Sequence, residues 1–247
     1  MEITSLDNQL VKKIASLHKK KFRDEYELFF IEGMKSIKEA INFNQEIEYI
    51  LYSPDMVYYD LDIEGIEVSK EILCKISDTV TPQGIVAVCK IKDENIDILK
   101  GKKKIVYLDK VQDPGNVGTI IRTADAFGID GVVLSKECAD IYSPKVVRST
   151  MGSIFHLPVI RDVNVEELKK LNMKIYSSSL NGNEEFKIED NSILVIGNEG
   201  NGISDETKEI TDEFIKIKMP GNAESLNASI AAGILMYEFT KWEINGA

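Results

Sequence analysis

The chain has 247 residues, of which 43% are hydrophobic, and its 41 acidic and 30 basic side chains give a formal net charge of -11. This size and composition suffice for one large domain, or two modest ones, with a sizeable core. No apolar run reaches the length of a membrane helix, and the opening stretch MEITSLDNQLVKKIASLHKK lacks the apolar core of a secretory signal, so we expect a cytoplasmic protein without membrane contact.

The first hundred residues read as short alternating elements with helical or strand spacing of their apolar side chains. In chain order we predict a helix over 8–20, strand LFFIEG, a helix over 34–42, strands IEYILY and GIEVS, a helix over 70–76, and strand GIVAVCKI. This order predicts a small α/β domain. Its end is placed at about residue 100, because the stretch KDENIDILKGKKK is highly charged and has little periodicity.

Charge is spread unevenly along this first part. Residues 1–23 contain six basic and two acidic side chains, whereas residues 46–98 contain four basic and twelve acidic ones. An acidic chain argues against nucleic-acid binding, but a basic end can still contact RNA locally. A solvated helix face explains the same lysines equally well.

A second α/β series follows. It comprises strands KIVYLD, GVVL, HLPVI, KIYSSS, SILVIG and FIKIKM, with helices over 116–127, 165–171 and 224–242. Mostly apolar strands that alternate with helices predict a parallel sheet covered on both faces. Because ligands of such sheets bind beyond the carboxyl ends of the strands, the loops that follow the strands are the candidates for a functional site.

The first candidate loop is QDPGNVGTIIR. Pro114 and Gly115 predict a turn, and Asn116 is suited to cap the helix that follows. At about 100° per residue, Arg122 projects away from the apolar stripe of that helix. Two interpretations of this arginine remain. It is an ordinary surface residue, or it binds a phosphate, since a guanidinium can bind a phosphate through two hydrogen bonds.

The second candidate loop is LVIGNEGNGIS, in which three glycines surround Glu199. Its G-x-x-G-x-G spacing matches neither the dinucleotide fingerprint nor the phosphate-binding loop. Two interpretations stay open: a plain turn, or a loop whose backbone approaches a ligand closely.

The third candidate loop, MPGNAESLN, joins a strand to the closing helix through a Pro-Gly turn. Ser225 and Asn227 fall in or near the first helical turn, where capping explains them without a ligand. The helix itself carries apolar residues on two stripes, one of which includes Trp242. We expect one side of it to pack on the sheet and the other on a second subunit.

Cysteine and histidine residues form no metal or disulfide pattern. Cys74, Cys89 and Cys138 are odd in number and lack C-x-x-C spacing, and His18 and His156 lie far apart without clustered cysteines or acids. We expect reduced thiols and no bound metal.

Taken together, the segments DPGNVGTIIRTADAFG, VIGNEGNGIS and MPGNAESLNASIAAGI resemble, in order, the three signature motifs of the SpoU (TrmH-like) RNA ribose 2'-O-methyltransferases of the SPOUT superfamily. The resemblance covers roughly residues 104–242. It implies a homodimer, and an α/β fold whose parallel sheet ends in a deep trefoil knot, over residues 101–247. Residues 1–100 are similar to the small RNA substrate-binding α/β domain, related to ribosomal proteins, that many members carry in front.

The resemblance also implies S-adenosylmethionine as the cofactor and a set of site residues. Positions that match the family's catalytic and polar motif residues are Asn116, Arg122, Glu199, Ser225 and Asn227. Positions that match the family's cofactor-binding residues are Gly197, Met219 and Leu226.

These matches lead to a hypothesis about mechanism: Arg122 binds the phosphate beside the reacting ribose and lowers the pKa of its 2'-hydroxyl electrostatically, because a guanidinium keeps its own proton. Ser225 and Asn227 orient the ribose and Arg122, and Glu199 fixes the glycine loop. The separate front domain favours ribosomal over transfer RNA, by analogy. Two alternatives remain: a non-catalytic, ribosome-associated RNA-binding protein, and an α/β enzyme acting on a small phosphorylated metabolite.

Overall fold

The structure is a computed structural model that describes residues 2–56 and 64–244, without the side chains of residues 242–244, so the predicted packing of Trp242 lies outside the described residues. Contacts divide the chain into two compact units. The first is Met1–Lys92 with Tyr142–Phe155, and the second is Asp93–Ile141 with His156–Ala247. The division after Lys92 differs from the predicted one after residue 100, and no local pattern indicates that Tyr142–Phe155 belongs with the first unit.

A mixed five-stranded sheet forms the centre of the first unit. With elements numbered in chain order, its strands are β1 (Glu2–Ile3), β2 (Leu28–Glu32), β3 (Ile47–Tyr52), β4 (Ile66–Val68) and β5 (Ile85–Lys90), arranged β1-β4-β3-β5-β2. Strand β4 runs parallel to β1 and β3, whereas β5 is antiparallel to β3 and β2. The unit's helices are α1 (Gln9–Ser16), α2 (Lys20–Tyr26), α3 (Met34–Asn42), α4 (Lys70–Ile76) and α6 (Pro144–Thr150).

The helix predicted over 8–20 is present as α1, but it ends four residues earlier than predicted, and the sequence analysis did not predict α2, which begins at Lys20. Leu17 is the C-cap of α1, and Lys19 has an extended backbone before α2 begins. The break is stabilised by Arg23, which is 3% exposed and donates from Nη1 to the Leu17 carbonyl at 2.6 Å. A buried guanidinium that satisfies a helix-end carbonyl is a tertiary contact, which periodicity in sequence does not reveal.

The second unit is built on a six-stranded sheet in which every pairing is parallel, which confirms the predicted parallel α/β sheet. Its strands are β6 (Lys104–Leu108), β7 (Gly131–Leu134), β8 (Val159–Ile160), β9 (Lys174–Asn183), β10 (Ser192–Ile196) and β11 (Glu213–Ile215), in the order β11-β9-β10-β6-β7-β8. All five residues of β6 and of the adjacent β10 are buried, as expected for central strands covered on both faces.

Three helices of the second unit are α5 (Pro114–Ala126), α7 (Asp205–Ile210) and α8 (Ala228–Ile244). The predicted helix over 165–171 is a 3-10 helix, Val165–Leu171. The prediction that Asn116 caps α5 was wrong: Asp113 is the cap, and its Oδ1 accepts from the Asn116 amide at 2.8 Å. Pro114 occupies the first helical turn, where its missing amide hydrogen costs nothing.

No helix in residues 2–56 or 64–244 is both long enough and apolar enough to cross a membrane.

Candidate active site

The loop that follows β10 is a closed glycine turn. Asn198 Oδ1 accepts from the amides of Gly200 and Asn201, both at 3.0 Å, and Asn198 pairs with Gly202 through two backbone hydrogen bonds. At Gly197, a Cβ atom would lie 2.4 Å from the carbonyl carbon of Gly202, so a side chain there would force the turn open. The sequence therefore requires glycine at 197 for the turn to fold back on its own strand.

Glu199 extends from this turn to the start of α5. Its carboxylate accepts from Asn116 Nδ2 at 2.9 Å and from the amides of Asp113 and Gln112 at 3.3 and 3.4 Å. Partial burial opposes ionisation of this carboxyl, but the hydrogen bonds from Asn116 and the backbone outweigh it and hold the pKa of Glu199 below its ordinary value. Glu199 therefore connects two of the three predicted loops through hydrogen bonds that its ionised carboxylate accepts.

Asn116 extends the connection to the third loop. Its Oδ1 accepts from Asn227 Nδ2 at 2.9 Å, while its Nδ2 donates to Glu199. Asn227 Oδ1 in turn accepts from the backbone amides of Ser229 and Ile230, at 2.9 and 3.3 Å, and thereby caps α8. The three side chains form a continuous chain of hydrogen bonds, here called the polar relay, from the glycine turn to the first turn of α8.

A cavity of about 480 Å³ lies beside the relay, at the carboxyl ends of β9 and β10. Five of the eight predicted site residues line it, namely Gly197, Glu199, Met219, Ser225 and Leu226. Ile196, Ile203 and Leu235 add apolar wall, and Ser178 and Ser179, which follow the buried part of β9, add hydroxyl groups. The size falls within the range of pockets for small ligands, and the mixed lining suits a ligand with an apolar body and polar ends.

Arg122 lies apart from this cavity wall, on the exposed side of α5, as predicted. Within residues 2–56 and 64–244 its guanidinium makes no hydrogen bond or ion pair, so its charge is available to an external anion. The structure thus connects Asn116, Glu199 and Asn227 directly, and among the described residues it gives Arg122 no hydrogen-bond or ion-pair partner.

Two supporting residues were missed by sequence reasoning. Asp109 is 1% exposed at the end of β6, and its Oδ2 accepts from the Ser204 amide at 2.6 Å. Asn198 donates from Nδ2 to the Lys110 carbonyl at 2.8 Å. Asp109 thus joins the β6 end to the start of α7, and Asn198 joins it to the glycine turn. The available signal was their position immediately after an apolar strand, the same signal that identified the loops.

The histidines lie outside this arrangement. His156 Nδ1 is 2.8 Å from Asp125 Oδ2, and His18 Nε2 is 3.1 Å from the Ile76 carbonyl. In the described part of the chain, no group of three or more His, Cys, Asp or Glu side chains could hold a metal ion.

A parallel sheet with a glycine-lined cavity at its carboxyl edge defines an α/β ligand-binding domain of the kind that commonly carries enzyme sites. Residues 103–237 match the model of the SpoU rRNA Methylase family, and residues 8–87 match that of the MRM3-like substrate binding domain. The chain therefore belongs to the SpoU rRNA methylase family.

Similar proteins extend over nearly the whole chain. The 23S rRNA (guanosine(2553)-2'-O)-methyltransferase RlmP of Bacillus subtilis is 39% identical over 96% of this chain and 98% of its own. The structure of an AdoMet-bound rRNA methyltransferase from Sinorhizobium meliloti has a TM-score of 0.88 with 32% identity, covering 98% of both chains. The AdoMet complex of the SpoU methyltransferase AviRb from Streptomyces viridochromogenes has a TM-score of 0.86 with 27% identity, covering 97% of this chain and 100% of its own.

Proposed function

We propose that this protein transfers a methyl group from S-adenosylmethionine to a ribose 2'-hydroxyl of 23S ribosomal RNA. Family membership and the RlmP relative support the reaction and the class of RNA. The observation that carries the proposal is the polar relay, because Glu199, Asn116 and Asn227 join three loops from distant parts of the sequence beside one cavity of cofactor size.

The cavity fits S-adenosylmethionine in size and lining. At about 480 Å³ it accommodates a ligand of that class, and two structural neighbours are named as AdoMet-bound. Gly197, Met219 and Leu226 would hold the cofactor from the cavity wall, with the polar groups of Ser178 and Ser179 available to its polar ends. When bound, the cofactor supplies a methyl group made electrophilic by its sulfonium.

Arg122 binds the phosphate next to the reacting ribose. It is exposed and makes no polar contact within the described residues, so RNA binding breaks no existing interaction. A guanidinium does not give up its proton in proteins, and Arg122 is therefore no general base. Its charge instead stabilises the negative charge that develops on the 2'-oxygen in the transition state.

Ser225 is the residue of the third loop that contacts the ribose, because it is exposed and lines the cavity. Asn227 has both ends of its amide engaged, one by Asn116 and one by the amides of α8. Asn116 and Asn227 are accordingly positioning residues, and Glu199 acts through them by holding the glycine turn against α5. Orientation of the two reacting groups can lower the barrier by several kcal/mol.

The remaining parts of the proposal are structural. We infer that the polypeptide after β10 forms a trefoil knot, as the family resemblance implies, and that residues 1–100 bind the RNA substrate, in line with the match of residues 8–87. A homodimer forms through α8, whose Ile230, Ile234 and Tyr237 are 55, 39 and 49% exposed and share one side of the helix. A ribosomal RNA substrate places the reaction in the cytoplasm.

The proposal is tested by incubating the protein with 23S rRNA transcribed without modifications and with methyl-labelled S-adenosylmethionine. We expect label in RNA at one nucleotide, whose 2'-O-methyl group makes the following phosphodiester resistant to alkali. Label in a base, or no label with any ribosomal or transfer RNA, would contradict the proposal. Heating the protein with and without S-adenosylmethionine separates a binding-only protein from an enzyme, because a ligand that binds the native state stabilises it.

A further inference from the structure

The first unit carries a second polar feature, here called the aromatic–lysine surface. Its members lie on α1, on α2 and between them, namely Lys13, Lys19, Lys20, Lys21, Phe22 and Tyr26. Lys19, Lys20 and Lys21 are exposed, and Phe22 and Tyr26 are half-buried. This surface belongs to the basic stretch for which the sequence allowed two interpretations: a contact with RNA, or a solvated helix face.

Two stacked aromatic rings form its centre. Phe22 and Tyr26 are one helical turn apart, with ring centroids 6.0 Å apart and planes inclined by 22°. The Tyr26 ring packs partly against the core of the first unit, which fixes the inner end of the stack. A fixed ring with a partly exposed ring in front of it is the arrangement on which nucleobases stack in single-strand-binding proteins.

The two ends of this stack differ. At the inner end, the Lys13 ammonium lies 5.2 Å from the Tyr26 centroid and also 3.7 Å from a carboxylate oxygen of Glu48, so it is engaged twice. At the outer end, the Lys21 ammonium lies 5.8 Å from the Phe22 centroid. Because Lys21 is exposed and forms no ion pair among the described residues, a ligand can displace its ammonium and use the face of Phe22 that it covers.

Lys19, Lys20 and Lys21 are three consecutive exposed lysines at the beginning of α2. Across the described residues, Lys19, Lys20 and Lys21 form no ion pair. Positive side chains at the beginning of a helix oppose its dipole, so they weaken α2 slightly rather than support it. A polyanionic partner would account for them, because lysines near a phosphate backbone contribute binding through the release of counterions.

We propose that the aromatic–lysine surface binds single-stranded RNA, with one unpaired base stacked on the outer side of Phe22 and the displaced Lys21, with Lys19 and Lys20, on the neighbouring phosphates. The proposal rests on the proposed function in that the RNA is the substrate. It assigns to the first unit a preference for an unpaired nucleotide rather than for a duplex, because only an unpaired base exposes a face for stacking.

The test measures binding of the full-length protein to an oligouridylate of about twelve nucleotides that contains one 2-aminopurine, whose fluorescence falls on stacking. We expect Phe22→Leu to weaken binding by about five- to a hundredfold and to abolish the fluorescence change, with the thermal unfolding midpoint retained. Phe43→Leu is the matched control, since Phe43 is 43% exposed in the same unit but lies outside this surface. Equal losses in both variants, or no loss in Phe22→Leu, would overturn the proposal.

A second variant tests the lysines without touching the rings. Replacing Lys19, Lys20 and Lys21 by Gln should reduce the dependence of log affinity on log salt by about 0.7 for each lysine in contact. Its control replaces Lys100, Lys169 and Lys170, which are exposed in the second unit and each pair with an acid three residues earlier. An unchanged salt slope, or equal changes in the two triple variants, would refute the phosphate contacts.

These measurements test the surface independently of the proposed function, because they are made without the cofactor and require no methyl transfer. If Phe22→Leu loses the oligonucleotide while wild-type protein methylates no RNA, the proposed function is wrong and the surface stands. If wild-type protein methylates 23S rRNA and Phe22→Leu does so with unchanged KM and kcat, the function stands and the surface is not part of substrate binding. A raised KM with unchanged kcat is the expected result.

Discussion

Asn227 and Asn116 are 111 positions apart in the sequence, and their side-chain amides meet at 2.9 Å. Each also holds a further group: Asn116 donates to Glu199, and Asn227 caps α8. A carboxamide both donates and accepts, which is why two asparagines in series can transmit a fixed geometry from a carboxylate to helix amides. The shape of the candidate cofactor cavity depends on this pair, because the third loop, which Asn227 ends, forms part of the wall.

Replacing Asn116 by Ala tests the polar relay. The change removes both of its side-chain hydrogen bonds and leaves Glu199 and Asn227 each without one partner, which should lower the free energy of unfolding by about 1–3 kcal/mol. We also expect weaker S-adenosylmethionine binding, measured by calorimetry, because the glycine turn loses the shortest of the hydrogen bonds by which Glu199 holds it at the start of α5.

The control for this prediction is a double-mutant cycle with Asn227→Ala. That single change also removes the cap of α8, and the cycle subtracts the capping contribution. We expect a coupling energy of about 0.5–3 kcal/mol from urea titrations of the four proteins. Additive effects would show that the contact between the two amides is energetically unimportant.

Gly197→Ala should disrupt the glycine turn. The new Cβ would lie 2.4 Å from the backbone of Gly202, so the turn must open into the cavity wall. We expect S-adenosylmethionine to stop raising the thermal unfolding midpoint of this variant.

Gly200→Ala in the same turn is the matched control. Its Cβ would come no closer than 3.7 Å to Asn198 Oδ1, so the turn should be kept and binding should be near normal. If the two alanine variants bind the cofactor equally well, the steric argument at Gly197 is wrong.

Arg122→Ala should reduce single-turnover methyl transfer by about a hundred- to a thousandfold and leave S-adenosylmethionine affinity unchanged, because the residue stabilises developing charge but does not line the cavity. Arg122→Lys should recover little of the rate, since lysine keeps the charge and loses the two-pronged donor geometry. Lys102→Ala, which removes an exposed cation elsewhere in the second unit, serves as the control and should be fully active. A near-normal rate for Arg122→Ala would remove Arg122 from the mechanism.

The pKa of Glu199 gives a pH-dependent prediction. Because hydrogen bonds from Asn116 and the backbone lower this pKa in the folded state, the ionised carboxylate stabilises the fold. The stabilisation is complete above the unfolded-state value of about 4.3 and is lost as the pH falls through the lower, folded-state value.

Glu199→Gln should therefore be less stable than wild type near neutral pH, and the gap in unfolding free energy should shrink in acid, as measured by urea titrations at a series of pH values. A gap that stays constant from neutral pH down into acid would mean that the charge of Glu199 does not contribute to stability.

Local sequence patterns predicted several elements well. The helices over 34–42 and 70–76 have the predicted bounds, and the central strands β6 and β10 were recognisable as uninterrupted apolar runs. Such elements are specified by the spacing of apolar residues and by capping residues beside them, such as Ser69 before α4. A few consecutive residues therefore suffice to predict them. The loops at the strand ends followed from the same reasoning, because parallel strands bring their carboxyl ends to one edge.

Capping at α5 shows where local information stops being sufficient. Asp113 and Asn116 are both good capping residues three positions apart, and sequence alone favoured Asn116. In the structure Asp113 caps the helix, and the Asn116 side chain is engaged by Glu199 and Asn227 instead. Glu199 and Asn227, which come from other loops, bind the side-chain amide of Asn116, and this side chain is therefore not used as the helix cap.

The amino-acid sequence by itself thus determined most of the elements, though not α2, α6 or α7, together with the parallel sheet of the second unit and the three loops that could form a site. Only the tertiary structure decided that Asn116 connects Glu199 to Asn227, that Arg23 closes the end of α1, and that Tyr142–Phe155 belongs to the first unit. The physical reason is that these contacts join residues from different elements. Their distances are set by how the elements pack, which no short stretch of sequence contains.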